Sequence, residues 1–501
     1  MAIKGEKCKK YCAILGAHFA IAPMSFLWIY GNLVAYMDSY TQFACSNKCQ
    51  DADSQWILAV FVAGQYPGVF LVKPLVDKIG LRWTGVITMV ISNTAVLSSA
   101  WSLQVSVAWT VALYGIFAGP CVGICASLAL HVVSGWTPEW TGLFMATVSS
   151  FPTALSLLQN QMITAYVNPD NLKTDAKVGL KAYFSQPLLL DRVPRAIIML
   201  AAMTFILQLI GYALVSNPPN LPHNTQAAAA AAEEMATVER ADQVQSKKSF
   251  HGNDNGAYVC EMKNYGSSDK CEIFPEPPVL PVASEVLKHN SAQIATVHKD
   301  HPISWRPSQV ILSPAFYAAL LFGVTIEYSL QIKASFYKEF AQIYIHDDRY
   351  LTFIGSLEPV TSTLSRILFG ALVDRRVFSL KAAMVFSLAL NGVLCSLWYM
   401  VAKVSAVLYL FLLLGLSVAH SLLYVVMFCV ALKLFGPDHM STNFGLTLTF
   451  LLVGSLLTPI MVHVLLKTLG WFWLFTSCSI FSLFTLVFVA ACSFDTQRQE
   501  R

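Results

Sequence analysis

Apolar residues in this chain come in long unbroken blocks, not in the alternation of strands or the one-sided stripe of soluble helices. A helix needs roughly 20 apolar residues to cross about 30 Å of hydrocarbon. Blocks of that length fall at 14–42, 55–76, 84–103, 106–134, 141–166 and 193–216. A second set falls at 309–340, 350–373, 380–401, 405–434, 443–466 and 470–492. The pattern predicts an all-α membrane protein with twelve transmembrane helices in two pseudo-symmetric six-helix halves. The blocks at 14–42 and 309–340 exceed a perpendicular crossing and predict tilt or protrusion. Residues 217–305 break the pattern with an alanine run from Ala227 to Ala232, then Glu233, Glu234 and mixed polar residues. That stretch predicts a largely disordered cytoplasmic linker between an N-terminal bundle (14–216) and a C-terminal bundle (306–492), with 1–13 and 493–501 as cytoplasmic tails.

Composition agrees with lipid as the solvent. Of 501 residues, 55% are hydrophobic and only 12% charged, about half the roughly 25% charge of an ordinary globular domain. A net charge of +4 is too small to imply a nucleic-acid partner. Lys78, Arg82, Arg375, Arg376, Lys381 and Lys433 follow even-numbered spans, on the same face as the basic N-terminus, which predicts that face to be cytoplasmic. The 167–192 loop carries Lys173, Lys177, Lys181 and Arg192 on the other face but balances them with Asp170, Asp175 and Asp191. Cys45 and Cys49 share a short polar loop where a disulfide can form if the loop meets an oxidising compartment. No zinc spacing, phosphate loop, dinucleotide fingerprint or acid–nucleophile pair appears, so neither a metal, a cofactor nor an enzyme activity is expected.

One motif occurs twice. After the second block the chain reads Pro74-Leu75-Val76-Asp77-Lys78-Ile79-Gly80-Leu81-Arg82; after the eighth it reads Gly370-Ala371-Leu372-Val373-Asp374-Arg375-Arg376. An Asp at a helix end facing basic loop residues can form a charge-assisted network that holds two helices together, so Asp77, Lys78, Arg82, Asp374 and Arg375 are expected to form a conformational latch. The pair resembles the loop signature of the major facilitator superfamily (Gly-x-Leu-x-Asp-Arg-x-Gly-Arg), with Lys73 in place of the opening Gly and Val377 in place of the later one. Gly115–Gly123, Tyr166-Val167-Asn168-Pro169-Asp170-Asn171, Ser216-Asn217-Pro218-Pro219 and Tyr337-Lys338-Glu339-Phe340 are similar to eukaryotic members of the oxalate/formate antiporter group, relatives of the monocarboxylate transporters. That resemblance implies a secondary carrier working by alternating access.

Charges inside apolar blocks mark the candidate site. Arg366 sits within the eighth block, where an Arg costs about 2.5–3.5 kcal/mol on insertion scales and must face a cavity or partner. Its guanidinium fork suits a carboxylate, and the resemblance implies the same role for an Arg at this place. Asp38 in the first block is expected either to face Arg366 and carry a proton or to lie at the outer helix end. Glu327 is a further cavity candidate, and Glu358, two turns before Arg366, can shield it. Tyr30, Tyr36 and Tyr66, with Gln65, Asn160 and Tyr328, are candidate hydrogen-bonding neighbours; His131, His420 and His463 read as packing residues. The eleventh block has no basic residue before His463, so the second cationic clamp of a dicarboxylate carrier has no match.

The expected function is secondary active transport of a small, monocarboxylate-like organic anion, coupled to protons or by exchange, in the plasma membrane rather than an internal one. The alternatives are a carrier of an amino acid or other zwitterion or amine, and a receptor-like membrane protein that does not transport.

Overall fold

The computed structural model describes residues 2–45, 49, 51–137, 141–217, 305–375, 377–436 and 440–492. Twelve spans follow one another: α1 (Lys7–Phe43), α2 (Gln55–Ile79), α3 (Leu81–Ser102), α4 (Val107–Trp136), α5 (Thr141–Val167) and α6 (Pro187–Leu214), then α7 (Pro314–Ala341), α8 (Asp348–Asp374), α9 (Leu380–Val404), α10 (Ala406–Cys429), α11 (Thr442–Thr468) and α12 (Trp471–Ala491). Among the described residues ten of these are long and apolar enough to cross a membrane. The other two, α5 and α8, pack against each other, and against α1, at the interface between the halves, where α8 carries Asp348, Glu358 and Arg366. The linker predicted at 217–305 and the tail at 493–501 lie almost wholly outside the described residues.

Local chemistry sets the ends of the spans. Ser106, Asp347, Ser379 and Ser405 cap α4, α8, α9 and α10 by accepting hydrogen bonds from backbone N–H groups of the first turn. Gly80, the one-residue joint of α2 and α3, and Gly470, the second of the two residues between α11 and α12, hold φ of +82° and +85°, a region closed to most side chains. The helix of α1 starts at Ala2, inside the predicted tail, and is interrupted by a 3-10 turn at Ala22–Ser25 that contains Pro23. The block read as a single span at 309–340 is divided. A short helix, Pro307–Leu312, ends at Ser313, whose ψ of 131° is the extended conformation a following proline enforces; Pro314 then starts α7.

The glycines of α4 serve a close helix crossing. A Cβ on Gly119 would lie 2.6 Å from Phe61 O and one on Gly123 2.3 Å from Gln65 O, so only bare backbone lets α4 meet α2. The chain of α4 also passes through a π turn at Leu113–Ala118. Between α5 and α6 a hairpin, β1 (Ala176–Val178) and β2 (Lys181–Tyr183), pairs antiparallel with Val178 opposite Lys181. Cys45 and Cys49 form a disulfide in the α1–α2 loop on the same face. That side is called the hairpin face below; the opposite side, where α2 ends and α3 begins, is the terminal face.

Candidate functional site

Buried charges stack in three layers along the interface of the halves. The layer nearest the hairpin face joins them directly. Lys338 on α7 pairs with Asp348 on α8 at 2.7 Å, with side chains 0% and 2% exposed. Its Nζ also donates to Asn32 Oδ1 on α1 at 2.6 Å and lies 4.3 Å from the centre of the Tyr36 ring. The Tyr36 hydroxyl donates to Asp348, and Asn168, just after α5, donates to the same carboxylate at 2.9 Å. Beside this cluster, Lys181 of the hairpin lies 2.8 Å from Asp38 of α1 and 3.0 Å from Glu339 of α7. Burial alone would push the Lys181 ammonium below the ordinary lysine range, but the Asp38 and Glu339 carboxylates overcome it and hold it above. Close backbone approach makes this possible: a Cβ on Gly31 of α1 would lie 2.2 Å from Ala334 O of α7.

The middle layer belongs to the second half. Lys333 on α7 pairs with Glu358 on α8 at 2.6 Å, with side chains 1% and 7% exposed, and donates to Ser417 of α10 at 2.7 Å. A narrow cleft between α1, α7 and α8 opens onto this pair and is lined by Trp28, Leu330, Lys333, Tyr337, Gly355 and Glu358.

The third layer is unlike the others because its charges are unpaired. Arg366 of α8 lies with its guanidinium carbon 5.7 Å from the ring centres of both Trp28 (α1) and Tyr424 (α10). Its Nη2 donates to Ser362 at 3.2 Å, its Nε is buried without a partner, and among the described residues no carboxylate lies within ion-pair range. Glu327 of α7 is 0% exposed. One of its oxygens accepts from Gln331 at 3.0 Å and the other, Oε2, has no partner. Tyr424 stands within electrostatic reach of both Glu327 and Arg366.

The sequence profile of the Major Facilitator Superfamily matches residues 321–501. Among solved structures the chain is similar to the D-xylose-proton symporter, at 12% identity and a TM-score of 0.60, over 97% of this chain and 98% of that one. It is similar also to the xylose transporter XylE from E. coli in its partially occluded inward-open conformation, at 11% identity and a TM-score of 0.58, over 96% of this chain and 98% of that one. The inward-open conformation of XylE gives 12% identity and a TM-score of 0.56, over 96% and 95%. No curated protein matches the sequence as a relative. The fold is the one these xylose transporters share, and the family match covers only the second half of the chain. At these identities the likeness concerns the fold and leaves role and cargo open.

Several expected neighbours stand apart. Asp38 does not face Arg366: it lies in the last turns of α1, at the depth of Lys181, while Arg366 is far down α8. Glu358 does not shield Arg366 either. Two helical turns are about 12 Å of axial rise, and Lys333 has claimed the carboxylate at 2.6 Å. Tyr36 belongs to the hairpin-face layer, Tyr30 donates to Ser54 O at 2.6 Å, and Tyr66 meets Thr449 of α11 at 3.2 Å. Tyr328 meets Ser477 at 2.7 Å and Asn160 reaches Gly355 O at 3.3 Å. His420 is buried against Asn391 at 2.9 Å, His131 is exposed, and His463 lies 3.2 Å from Asp53 across α11 and α2.

The expected latch is not joined. Asp77 and Lys78 are exposed and, among the described residues, make no hydrogen bond or ion pair. Arg82 caps α6 instead, donating to Tyr212 O at 3.1 Å and Ala213 O at 3.0 Å. Arg375 is exposed, and the side chain of Asp374 and all of Arg376 lie outside the described residues. A Cβ on Gly370 would meet nothing within 4 Å.

Sequence reading missed Lys181, Lys338 and Asp348 as a group. Lys338 lay in plain view beside Glu339 in a stretch singled out for its resemblance. Asp348 fell two residues before the predicted start of its span, and Lys181 was read only as loop charge.

Proposed function

We propose that this protein is a secondary carrier of a small organic anion carrying one carboxylate, with Arg366 as its anchor. One observation carries the reading: among the described residues Arg366 is a half-buried interface cation with no carboxylate and with its Nε buried and unpartnered, whereas Lys181, Lys333 and Lys338 each have a carboxylate. Holding a guanidinium out of water without an anion is costly, and a substrate carboxylate offsets that cost with a bidentate pair. Trp28 and Tyr424 beside it supply flat apolar walls for the organic part of the ligand. Alternating access would work by rocking the halves about this level, the hairpin-face layer parting as the terminal face closes. The plasma membrane, with the hairpin face outside, is the expected setting, since it puts the Cys45–Cys49 disulfide on the oxidising side.

A sugar is the second reading, favoured by the xylose-carrying structural neighbours. Aromatic walls suit a sugar ring, but a neutral ligand would leave Arg366 unpaired. Uptake into proteoliposomes of radiolabelled lactate, benzoate, succinate and xylose, with wild type and Arg366→Ala, separates the two. The expected result is flux of a monocarboxylate that Arg366→Ala abolishes and Arg366→Lys restores only in part, because a point charge cannot replace the fork. Xylose flux that survives Arg366→Ala would overturn the anion reading.

A further inference from the structure

The N-terminal bundle encloses a cavity of its own, to which all six of its spans contribute side chains. Two interruptions of regular helix reach it. The 3-10 turn at Ala22–Ser25 presents Pro23 and Ser25, and the π turn at Leu113–Ala118 presents Tyr114 and Ala118. Single π turns inside α-helices are found frequently at functional sites. From α5 comes Gln159, which is 0% exposed, and neither its Oε1 nor its Nε2 has a hydrogen-bond partner among the described residues. The other amide on the wall is already served: Asn93 donates to Gln208 at 2.6 Å and accepts from Thr204 at 3.0 Å. Much of the remaining wall is apolar, with the Phe26 and Tyr114 rings stacked at 4.6 Å and Phe61 packed against Phe26. Among the described residues no Lys, Arg, His, Asp or Glu lines the cavity.

We propose that this cavity is a binding site for a small uncharged amide, recognised by Gln159. A buried carboxamide open at both ends carries a desolvation cost that only a matching donor and acceptor remove. A primary amide or a lactam supplies both from one side: its C=O accepts from Gln159 Nε2 while its N–H donates to Gln159 Oε1. A ketone or an ether fills the acceptor role alone and leaves Oε1 open. A carboxylate or an ammonium is excluded, because no charge on the wall would compensate it. The cavity holds about 30 Å3, more than the roughly 10–15 Å3 that a single water needs, so the ligand runs from a few atoms to one small ring. Its apolar side lies against Phe26, Phe61 and Tyr114. The site is separate from the seam between the halves. Asn160, the next residue of α5, turns the other way to Gly355 O of α8, and none of Arg366, Trp28 and Tyr424 lines the cavity. The inference therefore stands or falls independently of the anion reading.

The test titrates the full-length protein in detergent with acetamide, 2-pyrrolidone and 2-pyridone. Binding is read by ligand-observed saturation-transfer NMR and by the rise in melting temperature that a ligand of the folded state produces. Cyclopentanone, which keeps a ring and an acceptor but has no N–H, is the control, and each variant is first shown to melt cooperatively. Wild type should bind at least one of the amides saturably and cyclopentanone far more weakly. Gln159→Leu, which keeps the side-chain bulk and removes the amide, should weaken binding by about tenfold, the effect of losing two neutral hydrogen bonds. Ala118→Leu, which fills the cavity and leaves Gln159 in place, should abolish it. Arg366→Ala should bind the amide as wild type does. Cyclopentanone binding as tightly as 2-pyrrolidone, undiminished binding in Gln159→Leu or Ala118→Leu, or loss of binding in folded Arg366→Ala would each overturn the assignment. Absence of saturable amide binding to wild type would overturn it too, and would leave Gln159 to buried water.

Discussion

The two faces of the molecule spend their charged residues in opposite ways. At the hairpin face, five ionisable side chains from α1, α7, α8 and the hairpin are drawn inside and paired, and they tie one half to the other. At the terminal face the repeated Asp-basic motif lies in the open: Asp77 and Lys78 are exposed and unpaired among the described residues, and Arg82 serves α6 within its own half. Similar residue types thus stand for different states of the same machine. Pairs that are buried hold the state that is seen. Pairs that are apart become available when the halves rock to the other side. On the carrier reading proposed above, the difference is that of a molecule sealed at the hairpin face and unlatched at the terminal face.

The largest expected effect comes from breaking the seal. Lys338→Ala leaves Asp348 buried with only Tyr36, Asn168 and Gln342 as partners. Removing one member of a buried ion pair typically costs about 3–5 kcal/mol, so thermal melting in detergent should fall steeply. Replacing both members, Lys338→Met with Asp348→Leu, should recover most of that loss, because no orphan charge remains. Equal melting of Lys338→Ala and wild type would mean that this layer does not hold the halves.

The same contrast explains what could be read in advance. Span number was legible because block length is a property of each helix alone. The third layer was half legible: an Arg in an apolar block must face something, so Arg366 could be named without a structure. Its distance from Asp38 could not, because that depends on how far each residue sits along its own helix relative to a partner from the other half. The hairpin-face layer was least legible. Lys338 and Glu339 are adjacent in sequence yet serve different partners, Asp348 and Lys181. α7 is buried around nearly its whole circumference there, so helical periodicity carries no information about which side matters. The glycines of α4 were read as a resemblance; the close crossing with α2 gives them their reason.

A smaller effect is expected at Lys181, whose side chain is 19% exposed. Lys181→Met removes two ion pairs but leaves the Lys338 pair intact, and charge-assisted bonds of this kind contribute about 1.5–3 kcal/mol. It should also raise the labelling rate of a cysteine placed at Ser39, which is buried under the hairpin through its bond to Phe184 N. The pH dependence has a definite sign. A lysine held above its unfolded value contributes fully below about pH 10.4 and loses that contribution only as pH rises through its folded value. The melting difference between Lys181→Met and wild type should therefore not shrink between neutral pH and about pH 10. A difference that shrinks between pH 7 and 9 would mean that the carboxylates do not hold the ammonium.

The smallest change in stability, and the sharpest contrast, is expected at Asp77. Its side chain is exposed and makes no contact here that a neutral amide would lose, and substitutions of that kind usually stay within about 0.5 kcal/mol. Asp77→Asn should therefore melt with wild type. On the proposed latch role of Asp77 in a state closed at the terminal face, turnover should nonetheless fall, because weakening that state biases the population further toward the sealed hairpin face. Anion affinity at Arg366, measured in detergent, should change far less than turnover, since the two residues lie on different helices at different depths. Paired measurements of melting, binding and counterflow on Asp77→Asn and Lys338→Ala then make the comparison quantitative. The first should slow transport without a stability cost, the second should cost stability and open the hairpin face. A large melting loss in Asp77→Asn would show that the motif is engaged in the state described, and the assignment of the two faces to opposite states would fall.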